Sequence, residues 1–165
     1  MMRRTAAEAI HAGASIPKWR RRGAELSSPF MTSVLLVTDA EWVRNDVSAS
    51  LAVGKWDVVE TDEPSAVLEL ARESAFDVII VDMQVGSMGG MAVIRAITGE
   101  MEPDQRPRTA LLLDRRADEF LARRAGADAW VVKPFTAQDL RAALETLGVV
   151  GEVTGGGPRK SRPRK

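Results

Sequence analysis

The chain predicts an α/β protein, a doubly wound five-stranded parallel sheet of strand order 2-1-3-4-5. Three observations carry this. Short apolar runs alternate with stretches of helical periodicity, five of each, between residues 31 and 150. The central run, Val78-Ile79-Ile80-Val81, is apolar without alternation, the mark of a strand buried on both faces. The connections are short, so right-handed crossovers place helices on both sides of the sheet. In the doubly wound order a ligand crevice opens at the switch between the first and third strands, outside their carboxyl ends.

The elements follow in order. Val34–Val37 is the first strand, ending in Thr38-Asp39, and Glu41–Leu51 the first helix, with Trp42, Val43, Val47, Ser50 and Leu51 on one face. Asp57–Glu60 is the second strand. Pro64 suits a first helical turn, and Ala66, Val67, Leu70 and Ala71 form that helix's apolar stripe. Asp77–Val81 is the third strand, closed by Asp82 and the loop of Gly86, Gly89 and Gly90. Met91, Val93, Ile94 and Ile97 mark a third helix, and Thr109–Leu113 a fourth strand. A helix over about 117–125 turns Phe120, Leu121 and Ala125 inward, and Gly126 caps it. Ala129–Val132 is the fifth strand, closed by Lys133-Pro134. Thr136 caps the last helix, whose face is Leu140, Ala143, Leu144 and Leu147.

Charge divides the chain where the periodicity does. Residues 1–30 hold six Lys/Arg against two Asp/Glu, and residues 151–165 hold five against one. The formal net charge of zero therefore hides an acidic domain, 31–150, between two basic segments. Residues 1–30 read as a disordered extension, with at most a short helix from Thr5 to Ala14, broken by Pro17, Gly23 and Pro29. Met31 immediately precedes the first strand, so a start there would give the same domain. Residues 151–165 read as a disordered, Gly-rich, basic tail; it is solvated, or makes weak electrostatic contact with nucleic acid or with an acidic protein surface, this protein's own core included. No DNA-reading module fits in 149–165. There is no cysteine, which excludes thiol chemistry and cysteine zinc sites. The one histidine, His11, lies outside the regular part, against a Ser-His triad. No apolar run approaches the ~18 residues of a membrane span, and a cytoplasmic protein is expected.

Topology brings Asp39 and Asp82, at the ends of the first and third strands, to one crevice. Two carboxylates there can hold a hard cation such as Mg2+. A cation beside a carboxylate favours phosphoryl transfer to it, and Lys133 is placed as a point charge for phosphoryl oxygens.

Three segments, VLLVTD (34–39), VIIVDMQVGSMGG (78–90) and RRAGADAWVVKPF (123–135), give the chain a family likeness. Over about residues 33–148 it resembles the receiver domains of bacterial response regulators, the CheY-like fold. The resemblance implies a single-domain receiver in two-component phosphorelay signalling, not an enzyme. It implies phosphorylation of Asp82 by a sensor histidine kinase or phosphotransfer protein. Asp39, Asp82 and the main-chain carbonyl of Gln84 would be the Mg2+ ligands, and Lys133 would contact the phosphoryl group. A cis peptide would precede Pro134. Output would pass to a partner protein through the fourth helix, fifth strand and fifth helix, from a monomer or homodimer.

The chain departs from that pattern in places. Thr38 replaces the first of two adjacent acids, so metal affinity should fall. The hydroxyl expected at the end of the fourth strand falls on Leu113, followed by Asp114; a loop about three residues short allows a slip of one position. The switch aromatic is present as Trp130, without its hydroxyl partner. Phosphorylation-independent action as a protein-binding pseudo-receiver, with Mg2+ weak or absent, is the alternative. A phosphatase with an Asp nucleophile would need an acid where Gln84 stands. A flavin protein would need a phosphate cradle after the first strand, which is lacking.

Overall fold

The computed structural model describes residues 2–5 and 31–149. Six strands form one sheet: β1 Met2–Thr5, β2 Thr32–Val37, β3 Trp56–Thr61, β4 Val78–Asp82, β5 Arg108–Leu113 and β6 Ala129–Val132. Their order is β1-β3-β2-β4-β5-β6, and every pair is parallel. Counted among themselves, the five strands β2 to β6 stand in the expected order 2-1-3-4-5.

β1 is an addition to that plan. Local periodicity gives residues 1–30 no element apart from a helix starting at Thr5. Met2–Thr5 instead pairs with Asp57–Glu60 of β3. The reason lies in β3, which the doubly wound order leaves at an edge with one row of backbone groups unpaired. A short extended segment satisfies that row, a pairing that local periodicity does not announce. Residues 6–30 and 150–165 lie outside the described residues, and with them the rest of the expected helix, His11, the Lys18–Arg22 cluster and the basic tail.

Successive strand side chains point to opposite faces, and the two cores follow that period of two. Leu35, Val37, Ile79, Val81, Leu111 and Leu113 go to one face; Val34, Leu36, Val78, Ile80, Ala110, Leu112 and Val131 go to the other. On the first face lie α2 (Val67–Glu73), α3 (Gly90–Glu100) and α4 (Glu119–Ala125). On the second lie α1 (Glu41–Ser50) and α5 (Ala137–Thr146). Single 3₁₀ turns, Pro64–Ala66 and Arg116–Asp118, lead into α2 and α4. Gly126 ends α4 in the left-handed region, φ +90°. Thr136 opens α5 with a reciprocal cap: its hydroxyl accepts from the Asp139 N–H, and the Asp139 carboxylate accepts from the Thr136 N–H.

Two expected core residues face outward. Trp42 is 52% exposed and Phe120 65%. On α1 the buried stripe is Val43, Val47 and Ser50, with Leu51 following, and Trp42 sits about 100° of helical rotation from Val43. On α4 only the small Ala122 and Ala125 are sealed against the sheet, and Phe120 lies about 200° from Ala122.

Candidate functional site

The site grows out of strand register. Val37 of β2 is level with Val81 of β4, so Thr38 comes level with Asp82. Leu113 of β5 is level with Val132 of β6, so Asp114 comes level with Lys133. Parity then selects the face. Thr38, Asp82, Asp114 and Lys133 each follow by two a residue of the α1/α5 core: Leu36, Ile80, Leu112 and Val131. All four emerge at the carboxyl edge above that core, where an open parallel sheet presents its crevice.

Asp82 is 2% exposed and Lys133 8%. Lys133 Nζ lies 2.6 Å from Asp82 Oδ1, a buried, charge-assisted contact. The other carboxylate oxygen, Oδ2, accepts from the Thr38 hydroxyl at 3.0 Å. That hydroxyl accepts in turn from the Ala40 N–H at 3.1 Å, which directs its proton toward Asp82. The Gln84 N–H adds a longer donor to Oδ1 at 3.3 Å. Lys133 has a second anionic partner, Asp114 Oδ1, at 2.9 Å. Burial alone would lower the Lys133 pKa, but hydrogen bonds to Asp82 and Asp114, and their charges, hold it above the ordinary 10.5. The ring centroid of Trp42, on α1, lies 5.4 Å from Nζ, within cation–π range. The Lys133-Pro134 peptide is cis, as the resemblance implied.

Asp39 stands apart from this buried cluster. It is exposed, and its Oδ2 accepts the Gly86 N–H at 3.0 Å. Gly86 holds φ +54°, a conformation that favours glycine, so the loop after β4 is shaped to reach Asp39. Gly90 brings the first turn of α3 against the Asp82 main chain; a Cβ there would lie 2.4 Å from the Asp82 carbonyl oxygen.

The acids suit Mg2+ only modestly. Among the described residues no group of three His, Cys, Asp or Glu gathers to hold a metal. The donor set is two carboxylates, Asp39 and Asp82, and the Gln84 carbonyl. Mg2+ is held by such small sets when water completes its shell. Here, however, both Asp82 oxygens and one Asp39 oxygen already accept hydrogen bonds. Thr38, in place of an acid, donates a proton to Asp82 rather than adding a charge.

Leu113 is not at the site. It is sealed in the core beneath α2, α3 and α4, because it has the opposite parity. The residue that reaches the crevice is Asp114, one position on. Counting by twes from Leu112 would have found it, as counting from Ile80 finds Asp82. Trp130 is half-buried on β6, packed against the core, with the Arg123 guanidinium 5.6 Å from its ring centroid. It lines a groove of about 550 Å³ with Arg116, Glu119, Val132, Lys133 and Asp139.

The family model described as "Response regulator receiver domain" matches residues 34–145. The chain is 27% identical over 116 residues to the chemotaxis protein CheY of Pseudomonas aeruginosa, covering 69% of this chain and 94% of that protein. It is 30% identical over 118 residues to the sensory transduction protein RegX3 of Mycobacterium tuberculosis, covering 71% of this chain but only 51% of RegX3. Among solved structures, the receiver domain of the Pseudomonas aeruginosa sensor histidine kinase PA1611 has a similar fold, at TM-score 0.62 and 21% identity, covering 72% of this chain and 98% of that one. That structure carries a magnesium ion coordinated in its active site cleft.

Proposed function

This chain belongs to the response regulator receiver family, whose members are signalling modules rather than enzymes and work in two-component phosphorelays through protein contacts, and on that premise we propose that Asp82 accepts the phosphoryl group. The observation that carries the assignment is a buried carboxylate at the end of β4 with a lysine ammonium 2.6 Å away. A carboxylate oxygen attacks phosphorus in a donor such as a phosphohistidine. The bond from phosphorus to the donor nitrogen breaks, its electron pair leaves with the imidazole, and an acyl phosphate forms on Asp82. Lys133 offsets the charge of the arriving oxygens. Asp39, Asp82 and the Gln84 carbonyl would hold Mg2+ when it binds, with reduced affinity because Thr38 stands in for an acid. The ion would screen the incoming phosphate from the carboxylate.

Family membership points to a sensor histidine kinase or phosphotransfer protein as donor. The output contact we assign to α4, β6 and α5, where Trp130, Arg116, Glu119 and Asp139 line a groove that offers an aromatic surface of mixed charge. Among the described residues no helix is long and apolar enough to cross a membrane.

A second reading is favoured by one specific feature. Leu113 gives the end of β5 no hydroxyl to follow a phosphoryl group, and it is locked in the core. The fold would then serve as a binding module independent of phosphorylation. Incubation with acetyl phosphate and Mg2+, followed by intact mass, separates the two. A gain of one phosphoryl group that disappears in Asp82→Asn is expected. No gain, or a gain that survives in Asp82→Asn, removes Asp82 as acceptor.

A further inference from the structure

The contact between Lys133 and Asp114 is unused by the reaction above. We propose that Asp114 is a resident tether: in the unmodified protein it holds the segment between β5 and α4 onto Lys133, and a phosphoryl group on Asp82 releases that segment. The release rests on the reading of Asp82 as acceptor; the tether does not.

Placement comes first. Parity and register bring Asp114, not Leu113, to the crevice edge, and its Oδ1 is 2.9 Å from the Lys133 ammonium. Lys133 therefore bridges two carboxylates from different strands, Asp82 on β4 and Asp114 after β5. Charge follows. Unmodified, Asp82, Asp114 and Lys133 sum to about −1, and a phosphoryl group carrying about −2 makes the same neighbourhood about −2. The new oxygens form on Asp82 itself, already at 2.6 Å from Nζ, so they take the ammonium. Asp114 then faces a like charge. It is part-exposed and turns to water at little cost, whereas Asp82 cannot. A hydroxyl at this place would donate to the phosphoryl oxygens and be drawn in; a carboxylate has only lone pairs to present and is pushed away.

The segment that is freed is short and stiffly joined to α4. Arg115 Nε and Nη2 donate to the two oxygens of Asp118 at 3.3 and 3.2 Å. Asp118 is buried and leads directly into Glu119, the first residue of α4. Motion at Asp114 thus reaches the helical turn that carries exposed Arg116 and Phe120. Asp114 is a positioning residue, acting through Lys133 on one side and α4 on the other.

Hydrogen–deuterium exchange of the full chain tests this, with intact mass recorded on the same samples. The reporter is the Asp118 amide, hydrogen-bonded to the Arg115 carbonyl at 3.0 Å, together with its neighbours. Before any donor is added, Asp114→Asn should exchange about fivefold faster than wild type over 115–119, and Asp114→Glu should restore protection. Acetyl phosphate with Mg2+ should bring wild type to the Asp114→Asn rate and leave Asp82→Asn protected. Equal exchange in wild type and Asp114→Asn before treatment overturns the tether, whatever happens at Asp82. Slower exchange in the phosphorylated wild type overturns the release, because the segment would then be drawn in. If the mass shows no phosphoryl group on wild type, the release falls together with Asp82 as acceptor, and the Asp114→Asn comparison still decides the tether.

Discussion

Gly90→Ala should destabilise the protein, and Gly99→Ala, nine residues along the same helix, should not. An ideal Cβ at Gly90 would lie 2.4 Å from the Asp82 carbonyl oxygen, 3.0 Å from its carbon and 2.9 Å from Leu111 Cδ1. The leucine can turn aside. The Asp82 main chain cannot, because it is fixed in the ladder opposite Leu112. The first turn of α3 must therefore lift, straining the Gly90 N–H bond to the Met83 carbonyl, now 2.9 Å. Overpacking of this kind costs about 1–3 kcal/mol, and a backbone obstacle argues for the upper half. A Cβ at Gly99 would meet nothing within 4 Å. There alanine should gain up to about 0.5 kcal/mol, from the lower backbone entropy of the unfolded chain. Urea unfolding reads both as midpoint shifts at constant m-value. Each kcal/mol should also appear as about 2–4 °C in Tm. The lift pulls through Met83 on the loop that follows the acceptor and carries Gln84, so acetyl phosphate labelling of Asp82 in Gly90→Ala should slow by about tenfold or more. A Gly90→Ala midpoint equal to that of Gly99→Ala would refute the reasoning, because the close approach of α3 to Asp82 would then carry no cost.

Lys133→Met should change how stability depends on alkaline pH. Its folded pKa is raised above 10.5, so the ammonium's contribution is complete below 10.5 and is lost as pH climbs through the raised value. Urea midpoints taken upward from about pH 8 should fall more steeply for wild type than for the variant. Asp128→Ala should cost about 1.5–3 kcal/mol, since one carboxylate serves several partners across the start of β5. It accepts from the Thr109 N–H at 2.9 Å and hydroxyl at 3.0 Å, and pairs with Arg106 at 3.4 Å. Thermal melts should show Asp128→Asn losing less. Thr136→Ala should cost about 1 kcal/mol by removing the α5 cap, visible as faster amide exchange in its first turn. Asp139 is held below its ordinary 3.8 first by the Thr136 N–H and then by its hydroxyl. Its contribution is therefore present above 3.8 and fades as pH falls through the lowered value. An NMR titration of Thr136→Ala should show the Asp139 pKa moving up toward 3.8.

Much of this molecule is legible from local pattern. Five strands were visible as short runs with apolar centres, and the central ones lack alternation because a sheet covered on both faces buries every residue there, as Val78 to Val81 show. Asp82 and Lys133 were visible because each closes such a run. What local pattern does not carry is pairing between distant segments. Nothing in Met2–Thr5 signals that β3 has an open edge for it. Helical spacing alone counted Trp42 and Phe120 with their neighbours, though α1 was already filled by valines and α4 packs through alanines. Leu113 attracted the hydroxyl's position because it ends the apolar run. Its parity sends it into the core, and Asp114 comes to Lys133 in its stead. Thr38 read as a lost acid, and the geometry shows what the replacement adds: a donor aimed at Asp82.

The four residues of β1 also bear on how the protein behaves in concentrated solution. A version begun at Met31 keeps the five strands of the family plan but leaves the outer row of β3 open along Asp57–Glu60. An open row of that kind recruits strands from other molecules. Such a shortened chain should self-associate as its concentration rises, while the longer one stays dispersed. Met2–Thr5 then acts as a built-in chaperone for one side of the sheet, and a tag fused directly onto it would put that protection at risk.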